Sequence, residues 1–187
     1  MLKKIAILAS GNGTNAEKII QYFNTSDIAS VVSVGTNKED AGVIDRAKKL
    51  GVPHFTFQKK ELENGSVRAL LMIKRIDLIV LAGFLLKIPD NLIKGFPNAI
   101  INIHPALLPK FGGKGMYGMN VHKAVKDAGE QQSGITIHWV NEHYDEGQVI
   151  FQKRVDLSPN DTPAQIAAKV QELEHNYYPK VIENLLK

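Results

Sequence analysis

The residues best suited to chemistry are an asparagine and a histidine two positions apart. Asn102 and His104 lie in the stretch from Asn98 to Pro109, NAIINIHPALLP. Ala99-Ile100-Ile101 is a short apolar run, as expected for a strand buried on both faces. At the strand period of two, Asn102 and His104 project to the same side. Pro105 removes a ladder donor and stops regular pairing. An amide and an imidazole at a strand's carboxyl end occupy the place where open α/β sheets bind ligands. The same residues also fit a plain polar strand end whose histidine bonds a neighbouring loop.

A carboxylate for this pair is available in the polar turn Asn141–Gly147, NEHYDEG, at Asp145. An amide donor and a protonatable imidazole stabilise a developing oxyanion. A nearby carboxylate raises the imidazole's pKa by favouring its charged form. Together they suit attack on a carbonyl without a covalent intermediate. Other chemistries find less support. His104, His122, His138, His143 and His175 crowd the second half, yet no pair has the i, i+4 spacing of a helical zinc site and HExxH is absent. No metal is expected. A GxSxG nucleophile elbow is also missing.

A second site is suggested near the amino terminus. Lys4–Ala9, KIAILA, reads as a buried strand that runs into Ser10-Gly11-Asn12-Gly13-Thr14-Asn15 and then a helix over Ala16–Phe23. Strand, glycine-rich turn and helix present main-chain N–H groups to a phosphate. The dinucleotide fingerprint and the Walker lysine are both absent, so a monophosphate fits best.

Composition is ordinary for a folded domain. The 187 residues are 44% hydrophobic and 22% charged, enough for one domain with a real core, 1–187. The net charge of +4 is scattered, which points to a small anionic ligand and away from nucleic acid and membrane surfaces. Absence of cysteine removes disulfides and thiolate metal sites and fits a cytoplasmic location. The first apolar run ends at Ala9, too early for a signal peptide, and no run reaches membrane-spanning length.

The elements that must position these residues alternate. Strands are predicted over Ala29–Thr36, Val52–Phe57 and Asp77–Ala82. Helices are predicted from an Asp40 cap to Leu50, over Lys59–Arg75, and briefly over Asp90–Lys94. The pattern gives an α/β fold with a doubly wound, mostly parallel sheet. Lys110–Met119, KFGGKGMYGM, reads as a mobile lid or as an ordinary surface loop. After a helix over Val121–Ala128, Ser133–Val140 and Gln148–Val155 form an antiparallel hairpin that extends the sheet in the carboxyl-terminal half. Thr162-Pro163-Ala164-Gln165 starts a final helix with Ile166, Val170, Leu173 and Tyr177 on one face. On pattern alone Glu174-His175 is a solvated flank of that face.

Five segments in order carry a family resemblance: SGNGTN from Ser10, LAGF from Leu81, NIHPALLP from Asn102, DEG from Asp145 and QELEH from Gln171. Together they resemble the glycinamide ribonucleotide formyltransferases, folate-dependent enzymes of purine synthesis, over essentially the whole chain. The resemblance implies a Rossmann-like formyltransferase fold and transfer of a formyl group from 10-formyltetrahydrofolate to the amine of glycinamide ribonucleotide. It implies that Gly13, Thr14 and Asn15 hold the phosphate, and that Gln171 and Glu174 approach the ribose and glycinamide. It implies a folate pocket walled by Leu85, Leu86, Lys87 and Ile88 with Asn102, Asn141, Glu142, His143, Tyr144 and Asp145. Asn102, a protonated His104 and Asp145 would be catalytic, and the Leu108–Pro109 bond would be cis. The partners are then small molecules, with a homodimer left open.

This sequence departs from the family pattern in places. Leu85-Leu86 replaces a common Met-Arg, and Arg68 is the candidate for the cation that meets the folate tail. Methionyl-tRNA formyltransferases and formyltetrahydrofolate deformylases share the Asn-x-His…Asp trio. The first usually carry a carboxyl-terminal RNA-binding domain and the second an extra amino-terminal domain, which a chain of this length is not expected to hold. A non-catalytic nucleotide-binding module is the reading from another class; it would bind phosphate and not folate.

Overall fold

The computed structural model describes residues 2–187. Seven strands form one sheet in the order β3-β2-β1-β4-β5-β6-β7. β1 (Lys3–Leu8), β2 (Ala29–Thr36), β3 (His54–Thr56), β4 (Leu78–Leu81) and β5 (Ile100–His104) run parallel. β6 (Gln132–Trp139) and β7 (Val149–Asp156) are antiparallel additions beyond β5. The chain winds from β1 outward to β3, then crosses back to β4 on the other side of β1. That reversal opens a crevice at the carboxyl ends of β1 and β4, where doubly wound sheets bind ligands.

β1 and β4 are apolar on both faces because helices cover both. Ile5, Ile7 and Val80 join a core with α1 (Thr14–Phe23), α2 (Gly42–Lys49) and α7 (Pro163–Leu186). Ala6, Leu8 and Ile79 join a second core with α3 (Lys59–Glu63), α4 (Ser66–Ile73) and α5 (Asp90–Gly95). α6 (Met119–Asp127) adds Val125 to the first core. Each fully buried Ile or Leu stabilises the fold by about 1.5–3 kcal/mol.

Three expectations need correction. Asp40 caps nothing: α2 starts at Gly42 after Ala41, with no side-chain cap. Its first turn instead packs on the Gly11–Gly13 turn, and the Val43 N–H finds the Gly11 carbonyl at 3.2 Å. A tertiary partner has taken the cap's place. Lys59–Arg75 is two helices, because Gly65 at φ 89° breaks the run and Asn64 Oδ1 accepts from the Ser66 N–H. On α7 the buried stripe passes through Ile166, Val170, Tyr178, Val181 and Ile182, while Leu173 and Tyr177 are only partly covered. The stripe drifts because the helix changes neighbours along its 24 residues. Glu174 thus falls between Val170 and Tyr178 on the inner side, and is half-buried, not a solvated flank.

Candidate active site

β5 delivers Asn102 and His104 to the crevice in the expected orientation. His104 is 3% exposed. Its Nε2 stands 2.7 Å from the Phe111 carbonyl, which can only accept, so this nitrogen carries a proton. Its Nδ1 faces Asp145 Oδ2 at 3.5 Å. Asp145 also takes the Gly113 N–H at 2.9 Å and lies 3.6 Å from His138 Nε2. Phe111 and Asp145 both hold φ near 57°, a left-handed conformation that aspartate tolerates and that is strained for phenylalanine.

Two acceptors flank the His104 ring, an arrangement that favours imidazolium. Burial nevertheless dominates and holds the His104 pKa below the ordinary histidine value, against the pull of Asp145 and the Phe111 carbonyl. The carboxylate pulls upward as expected, but the desolvation of a nearly inaccessible ring outweighs it, and the expected net rise is corrected to a lowering. Burial would push the Asp145 carboxyl up, but His138, His104 and the Gly113 N–H together hold it below the usual range.

His138, buried on β6 opposite Asn102, is a member that sequence reasoning missed. Its Nδ1 lies 2.9 Å from the Trp139 carbonyl. Its Nε2 faces Asn102 Nδ2 at 3.2 Å and Asp145 Oδ1 at 3.6 Å. This fixes the Asn102 amide with one N–H left over for the cavity. Cross-strand pairing was the missing signal: His138 belongs to the polar phase of β6, but only the register with β5 sets it beside Asn102. His122 on α6 was missed too. It lines the cavity with its Nδ1 buried and unpartnered, and burial followed by the proximity of His104 lowers its pKa.

The cavity is about 700 Å³, ample for a substantial ligand. Leu85, Leu86, Lys87 and Ile88 line it, as do Asn141, His143 and Tyr144. Glu142 does not; it is exposed beside the wall, and this part of the expectation is corrected. In the turn after β4, the Leu85 N–H is fixed by Ser10 Oγ at 2.9 Å, while the Leu86 and Lys87 N–H groups have no protein acceptor among the described residues. Such a free main-chain edge beside apolar side chains can hold a flat, polar-edged heterocycle. Arg68 lies elsewhere, its side chain draped over Gly95 and outside the cavity wall.

At the amino-terminal turn, α1 starts at Thr14, two residues earlier than expected. The N–H groups of Thr14, Asn15 and Ala16 are therefore its first three and have no intrahelical partner. Gly13, at φ 76°, precedes them. Asn15 lines the cavity; Gly13 and Thr14, the two residues before it, do not. Gln171 Nε2 donates to Thr14 Oγ1 at 3.2 Å, and Asn15 Nδ2 donates to Glu174 Oε2 at 2.9 Å. Asn15 Oδ1 is buried without a partner. Burial raises the Glu174 carboxyl to a pKa of about 7 despite the Asn15 bond.

The Leu108–Pro109 bond is cis, and Thr136 holds the loop around it, accepting from the Leu108 N–H at 3.0 Å and donating to the Ala106 carbonyl at 2.7 Å. No group of three or more metal-ligating side chains is found among the described residues, and no helix there is long and apolar enough to cross a membrane.

Known proteins match this chain over nearly its whole length. The profile of the formyl transferase family matches residues 3–182. The chloroplastic phosphoribosylglycinamide formyltransferase of Arabidopsis thaliana is 43% identical over 187 residues, 96% of this chain and 64% of that protein. The Bacillus subtilis phosphoribosylglycinamide formyltransferase is 38% identical over 191 residues, covering 99% of this chain and 95% of that one. The chain thus spans a little under two thirds of the length of the plant relatives and nearly all of the bacterial one. The crystal structure of phosphoribosylglycinamide formyltransferase from Streptococcus pneumoniae superposes with a TM-score of 0.88 at 38% identity over 100% of both chains. Glycinamide ribonucleotide transformylase 1 from Geobacillus kaustophilus gives 0.91 at 33%, again over both full lengths. The chain belongs to the formyl transferase family, among its phosphoribosylglycinamide formyltransferases.

Proposed function

We propose that this chain transfers the formyl group of 10-formyltetrahydrofolate to the amine of glycinamide ribonucleotide, as one domain acting in the cytoplasm. The observation that carries this reading is the juxtaposition of Asn102, His104 and Asp145 in a cavity shared with Asn15 and Glu174. The helix start supplies anion-binding amides, and the Leu85–Ile88 edge supplies a seat for a heterocycle.

When bound, the folate supplies a formyl carbon on a nitrogen that can leave with a proton. Gly13, Thr14 and Asn15 hold the ribonucleotide's phosphate, and Gln171 and Glu174 take its ribose and glycinamide. Leu85, Leu86, Lys87 and Ile88, with Asn141, His143, Tyr144 and Asp145, hold the pterin. Both substrates are thereby held in register, which removes much of the entropic barrier. A bond forms from the glycinamide nitrogen to the formyl carbon, the bond from that carbon to the folate nitrogen breaks, and one proton passes between the two nitrogens. The free N–H of Asn102 and the His104 ring face the charge that develops on the formyl oxygen. His104, neutral before attack, becomes imidazolium by taking the proton that the attacking amine loses, with Asp145 and Phe111 accepting from its two N–H groups, so that its charge and not an N–H bond supports the oxyanion. Asp145 then directs the proton, through water, to the leaving nitrogen.

The test is turnover: purified protein, glycinamide ribonucleotide and 10-formyltetrahydrofolate, followed by the appearance of tetrahydrofolate. Product formation that depends on the ribonucleotide is expected. Folate hydrolysis without it would indicate a deformylase, and phosphate binding without folate binding a nucleotide-binding module.

A further inference from the structure

The Gly11–Asn15 turn is clamped from behind by α2. The Val43 N–H donates to the Gly11 carbonyl at 3.2 Å, and Arg46 Nε donates to the Asn12 carbonyl at 2.8 Å. Contact is close: a Cβ on Gly42 would stand 2.7 Å from Asn12 Oδ1, and one on Gly13 2.5 Å from Val43 Cγ2. Arg46 is also paired through Nη1 with Glu17 Oε2. Both side chains are a little over one quarter exposed, so the pair is only partly screened. Glu17 stands in the first turn of α1. There its carboxylate favours the bare helix but opposes any anion that docks on the same amides.

We infer that Arg46 is a positioning residue for phosphate binding: it holds the Asn12 carbonyl so that the following amides stay aimed, and it cancels the Glu17 charge that would repel the phosphate. It does not touch the substrate. Its second function is the more telling, because the acid that favours the bare helix would otherwise weaken an anion site on the same amides. The inference rests on the reading that this turn holds the ribonucleotide's phosphate.

The experiment titrates ribose 5-phosphate and 5-formyltetrahydrofolate, each by calorimetry, into wild type, Gly13→Val, Arg46→Met, Arg46→Lys and the double variant Arg46→Met/Glu17→Gln. Arg46→Met should weaken ribose 5-phosphate about tenfold, the scale of one partly screened charge contact, and leave the folate unchanged. Arg46→Lys should lose less, since charge is retained without the planar fork. Adding Glu17→Gln to Arg46→Met should recover several-fold in affinity, which a purely structural role for Arg46 would not allow. Loss with Gly13→Val but not with Arg46→Met would overturn the assignment of Arg46 alone. Equal losses of both ligands in Arg46→Met, or no recovery in the double variant, would also overturn it. Unchanged ribose 5-phosphate binding in Gly13→Val would overturn the phosphate reading itself, and the role of Arg46 with it.

Discussion

Two glycine-rich segments border the cavity, and Gly13 and Gly113 show different constraints in them. In the Gly11–Asn15 turn, Gly13 holds φ at 76° and also has no room: a Cβ would sit 2.5–2.8 Å from Val43, including its Cα. In the Lys110–Met119 loop, Gly113 has open space around it but holds φ at 94°. The first segment is backed by a helix and tied by its carbonyls, leaving its amides free. The second is tied at the reacting groups themselves, the Phe111 carbonyl to His104 and the Gly113 N–H to Asp145. One segment is held by scaffold, the other by the site it borders. A loop held in this way reports on the state of the groups that tie it, whereas the turn should be indifferent to them.

The strongest test of that contrast is to remove the anchors. His104→Ala and Asp145→Asn should each lower kcat by about 10²–10³ or more while the fold persists, and their combined loss should be less than multiplicative. In His104→Ala, limited proteolysis should quicken between Gly113 and Met119, while affinity for ribose 5-phosphate stays as in wild type. Retained activity in either variant would remove that residue from its proposed role.

Filling the crowded glycine comes next. Gly13→Val should weaken ribonucleotide binding about 10–100-fold, the scale of an overpacked contact, with folate affinity preserved. Thr14→Ala should lose far less, because its N–H remains. At the uncrowded glycine, Gly113→Ala meets only backbone strain of about 1 kcal/mol. It should cost a few-fold in turnover and nothing in phosphate affinity; a loss of phosphate affinity would erase the distinction.

The smallest effect is on pH dependence. Glu174 has its pKa raised from 4.5 to about 7 in the folded chain, so the fold favours its protonated form. Its contribution is fully present below pH 4.5 and is lost as pH rises through 7. Glu174→Gln should remove about 1–2 kcal/mol of the decline in unfolding free energy between pH 5 and 8, less than the full shift because the carboxyl keeps some solvent contact. His104 and His122, with pKa values lowered by burial, work in the opposite sense, losing stability as pH falls below the ordinary histidine value. The comparison of variant with wild type isolates Glu174.

What the sequence made legible follows from how local each signal is. Apolar runs placed the strands at the right positions, and the Thr162-Pro163…Gln165 start of α7 was read correctly because its capping box closes within four residues. The spacing of Asn102 and His104 was enough to put them on one side of β5. His138 was not legible as their neighbour, since its place depends on the β5–β6 register. Asp40 looked like a cap because the buttress that replaces it comes from a turn some thirty residues earlier. The direction of the His104 shift was missed for a similar reason: a neighbouring carboxylate is visible in a motif, but the depth of burial is not.

The bonds from Gln171 to Thr14 and from Glu174 to Asn15 join residues 157 and 159 positions apart. Contacts of such sequence separation form late, because the loop they close is nearly the whole chain. α1 shares its core with α7 through Ile166, Val170, Tyr178 and Ile182, so the helix that carries the amides is not fully packed until α7 is in place. On the proposed reading of this turn as a phosphate seat, the amides and the side chains over them are therefore completed together, at the last step of folding.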